Sequence, residues 1–377
     1  MFDISKYKDI APYDRAESEA AVKRILAHKE YLWAFANAFL QGEGEEVQEK
    51  RKAFVSYVEN VLLSIHSYDD FQKKITAGMF IPSILKSSVS GFSVSGADKL
   101  SPNESYLFVS NHRDIVLDCA LLDYALLINN LPLCEMAIGD NLLTNQFITD
   151  LFKLNGGIVV KRELPMREKY LETIRLSEYF VDRIESGKSI WVAQKSGRSK
   201  DGLDITHPAV IKMLYLSKKK SGLTFSELIR KCHIVPVAVS YEYDPNDINK
   251  GREEIAIQKK GSYEKKPLED LISMLRGLRK NKGHIHISFG TPLTGEYQNA
   301  EEAALEIDKQ IHNIYQLWPT NCFAYDYLEK SDKFKDSYKN FDISAFLSRY
   351  AHLSPEVRDF VLNSYANPVR MYLKDKI

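Results

Sequence analysis

Residues 108–122 read FVSNHRDIVLDCALL and combine the end of a strand, a polar turn and the start of a helix. A short apolar run ends at Ser110, and a helical apolar pattern begins near Leu117. His112 therefore follows the carboxyl end of a predicted strand, which is where open α/β sheets place their sites. This stretch predicts both the fold class and the position of a candidate site.

Two carboxylates follow His112 within the same stretch, at Asp114 and Asp118. A carboxylate that accepts a hydrogen bond from the imidazole fixes its tautomer and makes it a better general base. Such a base would speed proton removal from an attacking hydroxyl by roughly 10²–10⁴-fold. Taken alone, the pattern also fits a structural turn histidine beside a helix-capping Asp.

The chain on either side alternates short apolar runs with helical segments. Helical patterns lie over 141–154, 166–185 and 207–216. Six runs have the length and composition of strands: 106–110, 135–138, 157–161, 190–194, 234–241 and 285–289. Strands that alternate with helices predict an α/β fold with a mixed, largely parallel sheet flanked by helices.

Helical patterns dominate both ends of the chain. We therefore predict an N-terminal helical region over 1–84, a central α/β domain over 85–300 and a C-terminal helical extension over 301–377. Residues 80–97 are apolar with scattered Ser and Gly, which indicates either a buried hairpin or a surface for lipid.

Composition excludes several classes of function. The 51 basic and 51 acidic residues give a formal net charge of zero, which does not favour a nucleic-acid partner. The four cysteines are far apart and form no Cys-x-x-Cys pair, so we expect neither a metal site nor a disulfide framework. Because we find no signal peptide and no run of about 18 apolar residues, we expect a cytoplasmic protein.

Residues 156–164 read GGIVVKREL, with glycines before a β-branched run and two cations after it. Gly157 would allow the backbone of another segment to approach closely. Lys161 and Arg162 at the end of the strand would form a clamp for a phosphate or carboxylate. The alternative is a solvated basic pair that closes the strand.

Residues 189–202 read SIWVAQKSGRSKDG, a predicted strand followed by a polar loop. Backbone amides and basic side chains in such a loop can form an anion-binding nest. The candidate members are Lys195, Ser196, Gly197, Arg198 and Ser199. The alternative is an ordinary polar hairpin loop.

Residues 234–242 read IVPVAVSYE, a β run that contains Pro236. Because proline cannot donate a hydrogen bond to a neighbouring strand, we expect this strand to be bent or to lie at an edge. A purely structural proline is the alternative.

Together and in this order, the four stretches resemble the motifs of the glycerolipid acyltransferase family, which includes lysophosphatidate and glycerol-3-phosphate acyltransferases. The first family motif is Asn-His followed by an Asp, which here corresponds to Asn111, His112 and Asp118. The second is Gly, an apolar run and Arg, which corresponds to residues 156–162.

The third family motif, Phe-Pro-Glu-Gly-Thr-Arg-Ser, corresponds to residues 193–199, and the fourth, an apolar strand with a proline, to residues 235–237. A closing Phe-Gly-x-Pro strand is similar to residues 284–293, so the resemblance covers roughly 85–295. Two departures stand out. Asp118 comes one residue later than the family spacing, and Lys195-Ser196 stand where the third motif carries its Glu.

The resemblance implies an acyltransferase that takes a fatty acyl group from acyl-CoA or acyl carrier protein. The acceptor would be a lysolipid or glycerol phosphate, in phospholipid biosynthesis. His112 would deprotonate the acceptor hydroxyl, with Asp118 as its partner and Asp114 as the rival. The substrate-binding candidates are Asn111, Arg113, Gly157, Lys161, Arg162, Lys195, Ser196, Gly197, Arg198, Ser199 and Pro236.

No metal or bound cofactor is implied, because a thioester is already activated. Two alternatives stay open: an acceptor that is another lysolipid or an amino-acid lipid, and a non-catalytic lipid-binding relative. The implied lipid substrate, with basic stretches at 218–220, 259–266 and 276–282, predicts peripheral contact with the inner face of the membrane.

Overall fold

The computed structural model describes residues 3–40, 42–219, 221–266 and 268–376, without the side chains of residues 38 and 39. Lys220, part of one predicted basic stretch, lies outside the described residues. The chain has an α/β fold, as predicted. None of the helices in the described ranges is long and apolar enough to cross a bilayer.

Seven strands form a sheet in the order β1-β7-β6-β2-β5-β3-β4. The pairs β1–β7, β2–β6, β3–β4 and β3–β5 are parallel, and β6–β7 is antiparallel, which confirms the predicted mixed, largely parallel sheet. The strands are β1 (Gly91–Ser95), β2 (Leu107–Ser110), β3 (Cys134–Gly139), β4 (Gly157–Val160), β5 (Ser189–Ala193), β6 (Ile234–Tyr241) and β7 (His284–Phe289).

The helices between and beyond the strands are α1 (Arg15–Ala27), α2 (Lys29–Phe39), α3 (Glu45–Leu63), α4 (Tyr68–Phe71), α5 (Ile81–Ser88), α6 (Leu117–Ile128), α7 (Gln146–Leu154), α8 (Met166–Glu185), α9 (Pro208–Leu216), α10 (Phe225–Lys231), α11 (Asp247–Lys260), α12 (Glu269–Arg279), α13 (Ala300–Ile314), α14 (Pro319–Glu329), α15 (Ile343–Ser348) and α16 (Pro355–Lys374). A π-helical segment, Gln72–Phe80, joins α4 to α5.

Contacts group the chain into two compact units. The first combines Met1–Ser83 with Ala120–Trp191. A capping box between Asp14 and Glu17 begins α1, because each side chain accepts a hydrogen bond from the backbone of the other. The core of this unit gathers apolar residues of α1, α2, α3, α4 and α7: Ala21, Val22, Ile25, Leu32, Ala36, Val55, Val58, Leu62, Phe71 and Leu154.

The second unit combines Ile84–Cys119 with Val192–Ile377 and contains β1, β2, β6 and β7. Every residue of β2 and β6 is buried, which explains why both read as continuous apolar runs rather than alternating ones. The C-terminal helices add a core around Phe346, Tyr350 and Tyr365. The three-region division predicted from the sequence, with boundaries near 84 and 300, stays a prediction.

Two local predictions are corrected. Residues 80–97 do not form a hairpin: α5 is followed by β1, which pairs in parallel with β7. Pro236 is not at an edge, because β6 lies between β2 and β7. Proline has no N–H to donate, but its carbonyl still accepts a hydrogen bond from the amide of Gly290, just after β7 ends, at 2.8 Å.

Candidate active site

The turn between β2 and α6 is organised by its two carboxylates. Oδ1 of Asp114 accepts hydrogen bonds from the amides of Val116 (3.1 Å) and Leu117 (3.0 Å), so Asp114 caps the start of α6. Its pKa is raised by burial and by the charge of Asp118. Asp114 therefore holds the helix and is not the partner of His112.

Asp118 is the partner of His112, as predicted from the sequence. Nδ1 of His112 donates to Oδ2 of Asp118 at 2.8 Å, and the amides of Arg113 (2.5 Å) and Asp114 (2.9 Å) donate to the same oxygen. The other oxygen, Oδ1, accepts from the Tyr241 hydroxyl at 2.8 Å. One carboxylate therefore accepts from four donors and orients the imidazole.

The charge of Asp118 follows from these contacts. Its side chain is fully buried, whereas that of His112 is 15% exposed. Burial opposes ionisation of Asp118, but the hydrogen bond and charge of His112, the Asp114 amide and Tyr241 together bring its pKa below the ordinary value. An ionised Asp118 keeps the proton of the neutral imidazole on Nδ1 and leaves the lone pair on Nε2.

Asn111 occupies a structural position rather than one that faces substrate. Its side chain is fully buried. Nδ2 donates to the Val239 carbonyl (3.0 Å) and to Asp204 (3.1 Å), and Oδ1 accepts from the Val239 amide (2.8 Å). Asn111, which was predicted to bind substrate, thus fixes the end of β2 against β6. Its short side-chain amide bonds to the backbone amide and carbonyl of Val239 at the point where β2 ends.

Arg113 is also held within the fold. Its guanidinium donates to Asp204 at 2.5 Å and lies over the ring of Tyr315, with 5.7 Å from Cζ to the ring centroid. Buried Lys250 donates to the Arg113 carbonyl (2.7 Å) and to Asp244 (2.5 Å). These charge-assisted contacts hold the backbone of the turn on which His112 lies.

The loop after β5 lies directly against this turn. The Ser199 amide donates to the His112 carbonyl at 2.7 Å, and the Lys195 ammonium donates back to the Leu203 carbonyl at 2.9 Å. Gly197 has φ +79°, a backbone conformation that glycine adopts without strain. Lys195 and buried Ser199 therefore shape the loop. For exposed Ser196 and half-buried Gly197, the predicted binding roles stay predictions.

Arg198 has unused hydrogen-bonding capacity. Its side chain is 12% exposed, and Nη2 lies 3.9 Å from the nearest oxygen of Asp270. Nη1 is buried and has no hydrogen-bond partner among the described residues. Because buried guanidinium groups are normally satisfied, this geometry favours an anionic ligand at Arg198.

The second predicted stretch belongs to the first unit. A Cβ on Gly157 would lie 2.5 Å from a backbone oxygen of α7, so this glycine permits close packing rather than substrate contact. Lys161 is paired with Asp9 at 2.8 Å, and Arg162 is exposed. The predicted roles of Lys161 and Arg162 in binding a phosphate or carboxylate stay predictions.

Sequence reasoning missed three residues that complete the surroundings of the dyad: Tyr241, Asp204 and Lys250. Tyr241 is the last residue of β6, so a strand-end position was a signal that could have found it. The roles of Asp204 and Lys250 depend on contacts across 91 and 137 residues, for which the sequence carries no local signal. The described part of the chain contains no cluster of three or more potential metal ligands among His, Cys, Asp and Glu.

Three comparisons with known proteins relate this chain to others. Residues 91–240 match the family model described as Acyltransferase. Among solved structures, the 1-acyl-sn-glycerophosphate (LPA) acyltransferase PlsC from Thermotoga maritima is similar, with 14% identity over 79% of this chain and 92% of that chain and a TM-score of 0.36. No curated protein matches this sequence.

Proposed function

We propose that this chain, whose residues 91–240 form a domain of the acyltransferase family, uses His112 to transfer a fatty acyl group from a thioester to a hydroxyl of a glycerophospholipid precursor. The observation that carries the proposal is the hydrogen bond from His112 Nδ1 to buried Asp118 at 2.8 Å. This hydrogen bond orients a base at the end of β2, within the region that matches the acyltransferase family model.

The reaction needs one base and no redox partner. The acceptor oxygen attacks the thioester carbonyl carbon while its proton passes to Nε2 of His112. A C–O bond forms, and the tetrahedral intermediate then collapses with cleavage of the C–S bond. The imidazolium returns its proton to the departing thiolate, so His112 ends in its starting state. The negative charge of Asp118 stabilises the transient imidazolium.

Arg198 supports an anionic acceptor. Nη1 of Arg198 has no hydrogen-bond partner among the described residues, and a phosphate beside it would accept a hydrogen bond from this nitrogen. Lysophosphatidate and glycerol-3-phosphate both carry such a group next to a free hydroxyl. We propose acyl-CoA or acyl carrier protein as the donor, and no bound metal or cofactor, because the thioester is already activated.

A neutral or zwitterionic acceptor, such as another lysolipid or an amino-acid lipid, is the second candidate. It is favoured by one observation, that Lys195 stands where the third motif carries a Glu and bonds back to the Leu203 carbonyl. The intact hydrogen bonds around Asp118 argue against a non-catalytic lipid-binding relative, which would not need an oriented base.

A transfer assay tests the proposal. Labelled acyl-CoA and acyl carrier protein would each be offered glycerol-3-phosphate, lysophosphatidate, neutral and zwitterionic lysophospholipids, and a lysolipid with an amino-acid head. We expect acylation of a phosphate-monoester acceptor. Acylation of neutral or zwitterionic acceptors alone would favour the second candidate, and no transfer by folded protein with any pair would refute both.

The anion site is tested by Arg198→Ala. Because charge-assisted hydrogen bonds contribute roughly 1.5–3 kcal/mol, the KM for an anionic acceptor should rise about tenfold or more, while the KM for the donor stays within about twofold. Arg358→Ala, an exposed arginine of α16, is the matched control. Equal KM values for wild type and Arg198→Ala would contradict the assignment.

A further inference from the structure

Helix α12 turns its apolar side outward. Leu268, which precedes the helix, and Leu271, Ile272 and Leu275 are 70%, 43%, 44% and 38% exposed. Leu271, Ile272 and Leu275 lie on one side of the helix, and together with Leu268 at its start we call them the α12 stripe. The residues buried on the opposite side of the helix are small, Ser273 and Gly277. A helix of a globular protein normally buries such a stripe.

Basic side chains flank the α12 stripe. Residues 265–280 include five basic and two acidic residues. Lys266 before the helix and Lys280 after it are exposed. The two acids are engaged locally: Asp270 pairs with Lys265 at 2.7 Å, and Glu269 accepts from the Tyr263 hydroxyl at 2.8 Å. An apolar row between cations is complementary to an anionic lipid surface.

The buried side of α12 packs on the turn that carries His112. A Cβ on Gly277 would lie 2.2 Å from Oδ2 of Asp114, so the helix touches this turn directly. Asp270 of the same helix lies 3.9 Å from Arg198. Since an α-helix with its side chains is roughly 10 Å across, a surface that contacts the α12 stripe lies about one helix diameter from the turn.

We propose that α12 is a docking helix that inserts its apolar stripe into the surface of an anionic phospholipid bilayer. In this position it brings a lipid acceptor to the side of the protein where the His112 turn lies; this part rests on the proposed function. A second copy of the chain fits the surface less well, because pairing two such helices would bring their basic ends together.

Binding to vesicles tests the proposal without any assay of activity. The full chain would be sedimented with sucrose-loaded vesicles of phosphatidylcholine alone and of phosphatidylcholine with phosphatidylglycerol. The test variant combines Leu271→Gln, Ile272→Gln and Leu275→Gln, which change exposed side chains to another good helix former. The control is Leu305→Gln on α13, where the leucine is 68% exposed among acidic residues.

We expect wild type and the Leu305→Gln control to bind the anionic vesicles. The stripe variant should bind them at least about tenfold more weakly, because apolar burial scales with area. A variant combining Lys266→Gln, Arg279→Gln and Lys280→Gln should lose most of the preference for anionic over neutral vesicles. Failure of wild type to bind, or equal binding by the stripe variant, would overturn the proposal.

Two further measurements distinguish this proposal from self-association of the chain and from the proposed function. Sedimentation velocity without lipid would overturn it if wild type is a dimer that the stripe variant converts to a monomer, since the stripe would then be a self-interface. With a short-chain, water-soluble acceptor, the stripe variant should keep wild-type kcat. Absence of transfer by wild type would refute the proposed function and leave the vesicle result standing.

Discussion

At the scale of single residues, two aspartates four positions apart have pKa values that are shifted in opposite directions. Asp118 accepts hydrogen bonds at both oxygens, and these contacts lower its pKa despite complete burial. Asp114 caps α6 through one oxygen, while its other oxygen is buried without a hydrogen-bond partner among the described residues, and its pKa is raised by burial. The hydrogen bonds that each carboxylate accepts, and not burial alone, decide the direction in which its pKa is shifted.

This contrast predicts unequal effects of two conservative changes. Asp118→Asn removes the charge that orients His112 and stabilises its protonated form, so kcat should fall by roughly 10²–10⁴-fold. Asp114→Asn keeps an oxygen that can cap α6, so its kcat should stay within about threefold of wild type. Steady-state kinetics of both folded variants would decide, and similar losses in the two would contradict the assignment of Asp118.

At the scale of elements, the strands that the sequence revealed are those with a run of mainly apolar residues. All six predicted runs are strands, from β2 to β7. The runs of β2 and β6 are almost uninterrupted because every residue of both strands is buried, whereas β7 begins with exposed His284. β1, with the sequence GFSVS, was not predicted because its Gly and Ser residues interrupt the apolar run that identifies a strand. β1 forms because it pairs with β7, in which Ile285, the partner of Phe92, is 193 residues away in the sequence.

The packing of α12 predicts the effect of two glycine substitutions. In a helix interior, Gly→Ala normally stabilises by roughly 1 kcal/mol. At Gly277 the new Cβ would meet Oδ2 of Asp114 at 2.2 Å, so α12 must shift and the free energy of unfolding should fall by about 1–3 kcal/mol.

The matched control is Gly251→Ala in α11, where the nearest atom is a side-chain methyl of Val361 at 3.0 Å, which can move. Its free energy of unfolding should stay within about 1 kcal/mol of wild type. Urea unfolding of both variants provides the measurement. Stabilisation by Gly277→Ala would show that α12 does not pack on the His112 turn.

At the scale of the whole molecule, the sequence located the dyad but only part of its surroundings. His112 and Asp118 lie six positions apart, and the family resemblance, rather than spacing alone, implied their pairing over that of His112 with Asp114. Asn111 and Arg113 were predicted to contact substrate, yet both bond to Asp204, more than 90 positions away. Polar residues next to a site are equally suited to bind ligands or to hold the fold, and only tertiary contacts distinguish the two.

Global stability should depend on pH through Asp123 of the first unit. This fully buried carboxylate accepts from the Gln72 amide at 2.9 Å, and burial raises its pKa to about 7. Because the folded pKa lies above the unfolded one, the folded state holds a proton that the unfolded chain has lost. Stability from this group is therefore lost as pH rises from about 4 to about 7.

Asp123→Asn removes this titration. The free energy of unfolding of wild type relative to the variant should fall by roughly 2.5 kcal/mol between pH 5 and pH 8. Urea unfolding of both proteins at the two pH values measures this difference. Parallel pH profiles would indicate that Asp123 is ionised in the folded protein throughout this range.

The proposed role of His112 as general base is tested most directly by the single-turnover rate of His112→Gln. The acyl donor and acceptor would be those that wild type uses, with folding checked by an unchanged urea midpoint. Glutamine retains a hydrogen-bonding side chain but cannot accept the proton, so the rate should fall by at least about 10²-fold, with little change in acceptor affinity. A folded variant that transfers acyl groups within about tenfold of the wild-type rate would contradict the account.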